Sequence, residues 1–334
     1  MRSKPLAVNR LFWLFLALVS VCSMQPGWAQ QTVRERLRQR LQQSKQEQPN
    51  DPGIVQTNIA GLDVVIWKPV PKSAGAASPL DSSSGSASPN FSAAAVNTNP
   101  VPLVIFSHGY RGTPMQSRFI MEALAQAGYL VIAPKHRDAL DAGHLDEKLA
   151  VGFGQPAQWN KDSCSYRFED VRTLLDALHK DPQWQASIDW SRVGLAGHSL
   201  GGYTVLGLAG AWPEWKTAGI KAILAMSPYC EPFVANGDLR DLGVPVMYQG
   251  GTKDFGVTPS VKRPGGAFSK TSAPVYFVDF ENAHHFSWTN LNQDASQTAL
   301  INYYCVAFFN KYVNGDLTAK PEVQLPGVDD LEVK

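Results

Sequence analysis

The chain has 334 residues, 44% of them hydrophobic and 18% charged, with 30 basic against 29 acidic side chains and a formal net charge of +1. That length suits a single α/β domain with a sizeable core, and the composition is ordinary globular material. The near-neutral balance argues against a nucleic-acid partner and against an acidic solvating tail, and it leaves the charge of any substrate open.

At the N-terminus Arg2, Lys4 and Arg10 give a positive start, Leu11 to Val21 is an apolar stretch, and Gly27-Trp28-Ala29 supplies the small residues of a cleavage site. This order predicts a secretory signal peptide over 1–29, cleaved after Ala29, since the apolar run is short for a membrane span. The mature protein is then expected to begin near Gln30, to carry no stable membrane span, and to be secreted or periplasmic. Cleavage removes Cys22 and leaves Cys164, Cys230 and Cys305 in an oxidising compartment. Cys305 lies in Ala299–Phe309, which reads as a buried helix, while Cys164 and Cys230 fall in expected loops. A Cys164–Cys230 bridge is the working hypothesis.

Residues 30–53 are Arg- and Gln-rich and read as a polar leader. The expected α/β domain runs over 54–320, with 321–334 as a C-terminal tail. Ile54–Ile59 and Leu62–Trp67 predict two strands joined by a turn at Ala60-Gly61. Between 72 and 100 the composition collapses to Ser, Ala, Pro, Gly and Asn, a flexible insertion between strands. From there strands and helices alternate. Leu103–Phe106 reads as a buried strand, Phe119–Ala127 as a helix, and Tyr129–Ala133 as the next strand. Phe168–His179 repeats Phe168, Val171, Leu174, Leu175 and Leu178 at helical spacing. Arg192–Ala196 is a strand and Tyr203–Ala209 the helix after it; Ile220–Ala225, Val244–Tyr248 and Val275–Phe280 are three further strands. The rhythm predicts a mostly parallel sheet covered by helices on both faces.

The strongest chemical signal is Gly197-His198-Ser199-Leu200-Gly201-Gly202, set between the strand Arg192–Ala196 and the following helix. A sharp strand-to-helix turn lifts its central serine clear of the sheet, and flanking glycines let the two segments approach. Ser199 is therefore the candidate nucleophile. A serine hydroxyl needs a base to take its proton, and two adjacent histidines, His284 and His285, follow the last strand. His285 sits deeper in its loop and is preferred. The acid that orients the base is expected at the C-terminal end of a parallel strand. Asp254 closes Gln249–Asp254 there, whereas Asp279 lies inside its strand and Asp241 precedes its own. Backbone N–H donors for a developing oxyanion are expected from Leu200 and from Tyr110, in the loop Ser107-His108-Gly109-Tyr110. His108 reads as a loop residue supporting that turn. The seven histidines form no metal-ligand spacing, no phosphate-cradling loop is present, and no cofactor is implied.

With those residues in place, the chain resembles the plasma platelet-activating-factor acetylhydrolases and the related dienelactone-hydrolase and polyester-hydrolase branches of the α/β-hydrolase superfamily. The resemblance rests on 104–110, on Ala127-Gly128-Tyr129, on His136-Arg137-Asp138 and on 197–202, and it covers about residues 101–290. It implies the α/β-hydrolase fold, a triad of Ser199, Asp254 and His285, and oxyanion donors at Tyr110 and Leu200. It also implies a carboxylic-ester substrate, whether small-molecule, lipid or polymer, cleaved through an acyl-enzyme. Tyr110 and Tyr229 match the aromatic pair of polyester hydrolases, with Tyr229 where tryptophan is usual, and no cysteine follows Cys305 to complete that group's C-terminal disulfide. Phe153 and Trp159, in the loop 139–161, are expected as pocket wall. The rival from another class is a binding protein on a hydrolase scaffold, which an inert serine would reveal.

Overall fold

The computed structural model describes residues 53–70, 99–140, 142 and 149–334. The expected signal peptide, nearly all of the polar leader and nearly all of the Ser/Ala/Pro-rich insertion lie outside these residues.

Strands β1 (Ile54–Ile59) and β2 (Leu62–Trp67) form an antiparallel hairpin, with Ala60 and Gly61 at φ 51° and 87° in its turn. Positive φ at both central residues matches the twist of a two-residue hairpin. Then come β3 (Val101–Ser107), β4 (Leu130–Pro134), β5 (Ile188–His198), β6 (Ile220–Met226), β7 (Val246–Gly251), β8 (Val275–Phe280) and β9 (Val328–Val333). They build one nine-stranded sheet in the order β1-β2-β4-β3-β5-β6-β7-β8-β9. β3 to β8 pair in parallel, while β2 joins β4 and β9 joins β8 antiparallel.

The helices are α1 (Arg118–Gln126), α2 (Ser165–Lys180), α3 (Pro182–Ser187), α4 (Leu200–Leu206), α5 (Glu231–Ala235), α6 (Thr258–Lys262), α7 (Ala267–Lys270) and α8 (Ala295–Tyr312). They cover both faces, which is why the inner strands read as continuous apolar runs. Along β3 the side chains alternate between two cores. Leu103 and Ile105 join Val171, Leu174 and Leu178 of α2 on one face. Val104 and Phe106 join Met121 and Leu124 of α1 and Phe308 and Phe309 of α8 on the other. Each such leucine or phenylalanine contributes about 1.5–3 kcal/mol on full burial. Asp294 starts α8 by accepting from the backbone N–H groups of Ser296 and Gln297, satisfying donors that a helix N-terminus leaves without partners.

Three expectations are corrected. The chain end taken as a tail supplies β9, antiparallel to β8. Lys262 of α6 reaches Asp330 of β9 at 3.2 Å as well as Asp279 of β8 at 3.0 Å. β7 continues through Gln249, Gly250 and Gly251, assigned above to a loop, because Gly250 and Gly251 pair with Asp279 and Phe280 of β8. Finally, Cys164, Cys230 and Cys305 are all free thiols. Cys230 Sγ lies 3.1 Å from Ser260 Oγ, and Cys164 begins α2 in a left-handed backbone conformation at φ 60°. Burial pushes these two thiols up to about 12 and about 11, so they behave as small apolar residues.

Candidate active site

Ser199 stands at the turn from β5 into α4 with φ 57° and ψ −116°, a conformation few non-glycine residues hold. The turn closes only because its flanks lack side chains. A Cβ on Gly197 would lie 2.2 Å from Gly201 O, and one on Gly201 would lie 1.8 Å from Ser107 O. The helix starts at Leu200, three residues earlier than expected, which leaves the Leu200 N–H among those at the N-terminus without an intrahelical acceptor.

His285 Nε2 lies 2.9 Å from Ser199 Oγ. The neighbouring His284 is exposed, and its Nδ1 accepts from the Phe286 N–H at 3.2 Å. The His285 backbone is braced by His198, whose Nε2–H donates to His285 O at 2.7 Å while Gln116 Nε2 donates to its Nδ1 at 3.1 Å. Burial, with the His285 imidazole nearby, holds the His198 imidazole down to about 3, so it serves as a neutral strut. Asp254 follows β7 and is 3% exposed. Burial opposes its ionisation, but the neighbouring His285 imidazole and the hydrogen bonds it receives outweigh that, and its carboxyl titrates below the ordinary range. Its two oxygens are not used alike. Oδ1 approaches His285 Nδ1 only to 3.6 Å, while Oδ2 accepts from Ser227 Oγ at 2.5 Å and from Thr258 Oγ1 at 3.2 Å. Asp279 lies in β8 and pairs with Lys262 instead.

The loop after β3 presses against Ser199: a Cβ on Gly109 would come within 3.4 Å of Ser199 Cβ. Gly109 O accepts from the Gly112 N–H at 2.9 Å and from Arg167 Nη2 at 3.2 Å. A trans peptide sets its N–H opposite its carbonyl, so the Tyr110 N–H points away from Arg167. Arg167 is fully buried. Its Nη1 donates to His108 O at 2.7 Å, and its Nη2 pairs with Asp138 at 2.9 and 2.7 Å to the two oxygens. Although burial raises the Asp138 carboxyl, the guanidinium prevails and holds it at about 2. His108 Nδ1–H donates to Gly109 O at 2.8 Å and its Nε2 accepts from the His136 N–H at 3.1 Å. His136 links Ser107 Oγ at 2.8 Å to Asp170 at 2.8 Å. The His136-Arg137-Asp138 segment thus contributes to a sealed polar cluster behind the loop after β3.

Tyr229 is joined to Ser199 by its backbone N–H, which donates to Ser199 O at 3.0 Å. Its ring lies 4.9 Å from those of Phe153 and Trp159, and its hydroxyl donates to Phe153 O at 2.7 Å. Tyr110 packs edge-on against Phe153 at 5.4 Å. Trp159 is not pocket wall as expected. It is 1% exposed, buried beneath Tyr229 against Tyr203, because its indole N–H is drawn back to Gly152 O at 3.1 Å. Two exposed aromatic rings, Phe255 and Phe286, are next in sequence to Asp254 and His285; the Phe286 ring lies 5.4 Å from that of His285, while Phe255 lines a hollow with Asp254, Thr258, Lys262 and Asp279.

Sequence reasoning missed Arg167, Ser227, Gln116 and Asp170. Arg167 had a signal: it precedes Val171 by one helical step, so a charged residue occupied the apolar stripe of α2. Ser227 had none beyond its place after β6. Among the described residues no group of three His, Cys, Asp or Glu side chains is placed to hold a metal ion, and no helix is long and apolar enough to cross a membrane.

A mostly parallel sheet flanked by helices, with a serine on a strained strand-to-helix turn, defines an α/β-hydrolase. The chain belongs to the dienelactone hydrolase family, whose profile matches residues 91–313. It is similar to YitV of Bacillus subtilis (strain 168), named as a candidate esterase, at 33% identity over 133 residues, 40% of this chain and 48% of that protein. It is also similar to Cutinase est1 of Thermobifida alba, at 27% over 221 residues, 65% of this chain and 62% of that protein. A third relative is Cutinase 2 of Thermobifida cellulosilytica, at 26% over 236 residues, 70% of this chain and 76% of that protein. The chain thus spans 48% and 62% of the length of the first two relatives.

Proposed function

We propose that the protein is an exported serine hydrolase that cleaves carboxylic esters through an acyl-enzyme. The observation that carries this reading is the contact of His285 Nε2 with Ser199 Oγ at 2.9 Å, on a serine held at φ 57°. In the proposed reaction Ser199 Oγ attacks the ester carbonyl as its proton passes to His285 Nε2. Asp254 stabilises the imidazolium, and the N–H groups of Tyr110 and Leu200 receive the oxyanion. His285 then returns the proton to the leaving alcohol. Water, deprotonated by the same nitrogen, attacks the acyl-enzyme and releases the acid. Family membership and relatives named as cutinases support an ester substrate, and the order of charge, apolar run and small residues over 1–29 supports export.

The exposed Phe286, its ring 5.4 Å from that of His285, favours a second reading of the substrate, a polyester or long acyl lipid. The closed packing of Tyr229 against Phe153, beside Ser199, favours a small acyl group instead. A p-nitrophenyl ester series from acetyl to palmitoyl decides between them. A fluorophosphonate probe with mass spectrometry tests the nucleophile. One adduct on Ser199 is expected, and S199A should lose the adduct and several orders of magnitude in turnover. Wild-type turnover in S199A would remove the assignment, and a folded protein that takes no adduct would favour the binding-scaffold alternative. N-terminal sequencing of secreted material should begin at Gln30.

A further inference from the structure

Asp254 and His285 do not share a hydrogen bond, because their nearest atoms are 3.6 Å apart. The hydroxyl of Ser227 fills the interval, 2.7 Å from His285 Nδ1 and 2.5 Å from Asp254 Oδ2. A hydroxyl has one proton to give and lone pairs to accept with, whereas an ionised carboxylate only accepts. The Ser227 proton therefore goes to Asp254, and its oxygen accepts Nδ1–H from His285. This arrangement fixes the ring with its Nε2 lone pair towards Ser199. Ser227 is also held in place: its backbone sits at φ 41° and its N–H donates to Gln249 O at 2.7 Å, tying the end of β6 to β7. A non-glycine residue kept at positive φ is strained, and such strain concentrates where geometry has a use.

We infer that Ser227 is a positioning residue through which Asp254 acts on His285, making a four-membered relay Asp254–Ser227–His285–Ser199. One proton moves within it: Ser199 Oγ–H breaks as His285 Nε2–H forms, and no covalent bond changes between His285 Nδ1 and Asp254. When His285 Nε2 takes the Ser199 proton, the Nδ1 proton stays on nitrogen and the Ser227 proton stays on oxygen, while both hydrogen bonds strengthen as charge develops. The inference rests on the triad reading proposed above.

A double-mutant cycle tests it, with wild type, S227A, D254N and the double variant assayed on p-nitrophenyl acetate beside S199A. D254N alone should lower kcat by about 10³- to 10⁴-fold through loss of the correct tautomer. S227A should lower kcat by about 10- to 100-fold with KM nearly unchanged, and adding D254N to S227A should cost far less than D254N does alone. Equal cost of D254N in both backgrounds, or wild-type kcat in S227A, would show that Asp254 acts directly and would overturn the relay. S227G separates hydroxyl from strain, since glycine accepts φ 41° without penalty. It should fold at least as well as wild type and lose as much turnover as S227A, and retained turnover would overturn the inference. Proton NMR gives a readout that a structural role would not move: the low-field Nδ1–H resonance of His285 should shift upfield in S227A, and an unmoved resonance counts against the relay. Persistent hydrolysis in S199A would instead overturn the triad reading itself.

Discussion

Ser199 lies between two polar clusters built to opposite rules. On the β3 side Arg167 is 0% exposed and Asp138 10%, and both are locked onto each other or onto loop carbonyls. On the β7 side Asp254 is equally buried, but His285 keeps 24% of its side chain exposed. The first cluster has no group that must change protonation during the proposed reaction, and the second has one. Fixed donors stabilise a developing oxyanion best when nothing reorganises around them, while a general base needs a path to the leaving group and to water. The buried charge thus lies where geometry is required, and the partly open ring where protons move.

The sharpest way to test that division is to remove one key group from each side. H285A should lower turnover by roughly 10⁴-fold or more while leaving thermal stability nearly unchanged. R167A should act on stability as well as turnover, removing about 3–5 kcal/mol because Asp138 is left buried without its partner. Replacing the pair by R167M with D138L should recover much of that loss in a urea melt. It should leave kcat depressed all the same, since His108 O and Gly109 O lose the donors that hold them away from the oxyanion site. Full recovery of kcat in the pair would make the β3 cluster a stability device only.

Acid should act first through the buried histidines of both clusters. Burial holds His108 and His136 well below the ordinary histidine value and His198 at about 3. These rings stay neutral when folded but bind protons in the unfolded chain below about pH 6.5, so stability falls as pH falls through that value. Asp170, pushed up to about 7 by burial, opposes this over the same window. Three rings against one carboxyl leave a net loss. Asp138, held at about 2, adds a further loss only below about pH 4. The urea midpoint should therefore drop between pH 7.5 and 5.5, and again between pH 4 and 2. A flat midpoint over the first interval would mean that these rings are protonated in the fold.

What the sequence revealed and what it hid follow from how locally each feature is determined. The sheet was legible because parallel strands buried on both faces must be apolar runs, as Val101–Ser107 and Leu130–Pro134 are. Ser199 was legible because its strain is resolved by residues two positions away on either side, Gly197 and Gly201. Ser227 was not, because it matters only through Asp254 and His285, 27 and 58 residues distant. β9 was hidden for a related reason: its aspartates are unremarkable until Lys262 is folded beside them. Trp159 misled because an aromatic in a loop reads the same whether it faces a cleft or turns back into the core.

The smallest expected effect is the most discriminating for the base. His284 and His285 are neighbours in sequence, and one residue of register decides which ring enters the site. His284 is exposed, its recorded side-chain partners being the Phe286 N–H at 3.2 Å and the Phe286 ring at 6.5 Å. H284A should therefore keep turnover within about threefold and stability within about 0.5 kcal/mol, as surface substitutions do. The loop itself does not depend on that ring, because His198 holds the His285 carbonyl and Ser287 Oγ holds the His284 N–H at 3.0 Å. If H284A were to lose activity as deeply as H285A, the loop would have to rotate by one residue during turnover. Both bracing contacts would then have to break, and H198N, which loosens the first, should accelerate the reaction rather than slow it.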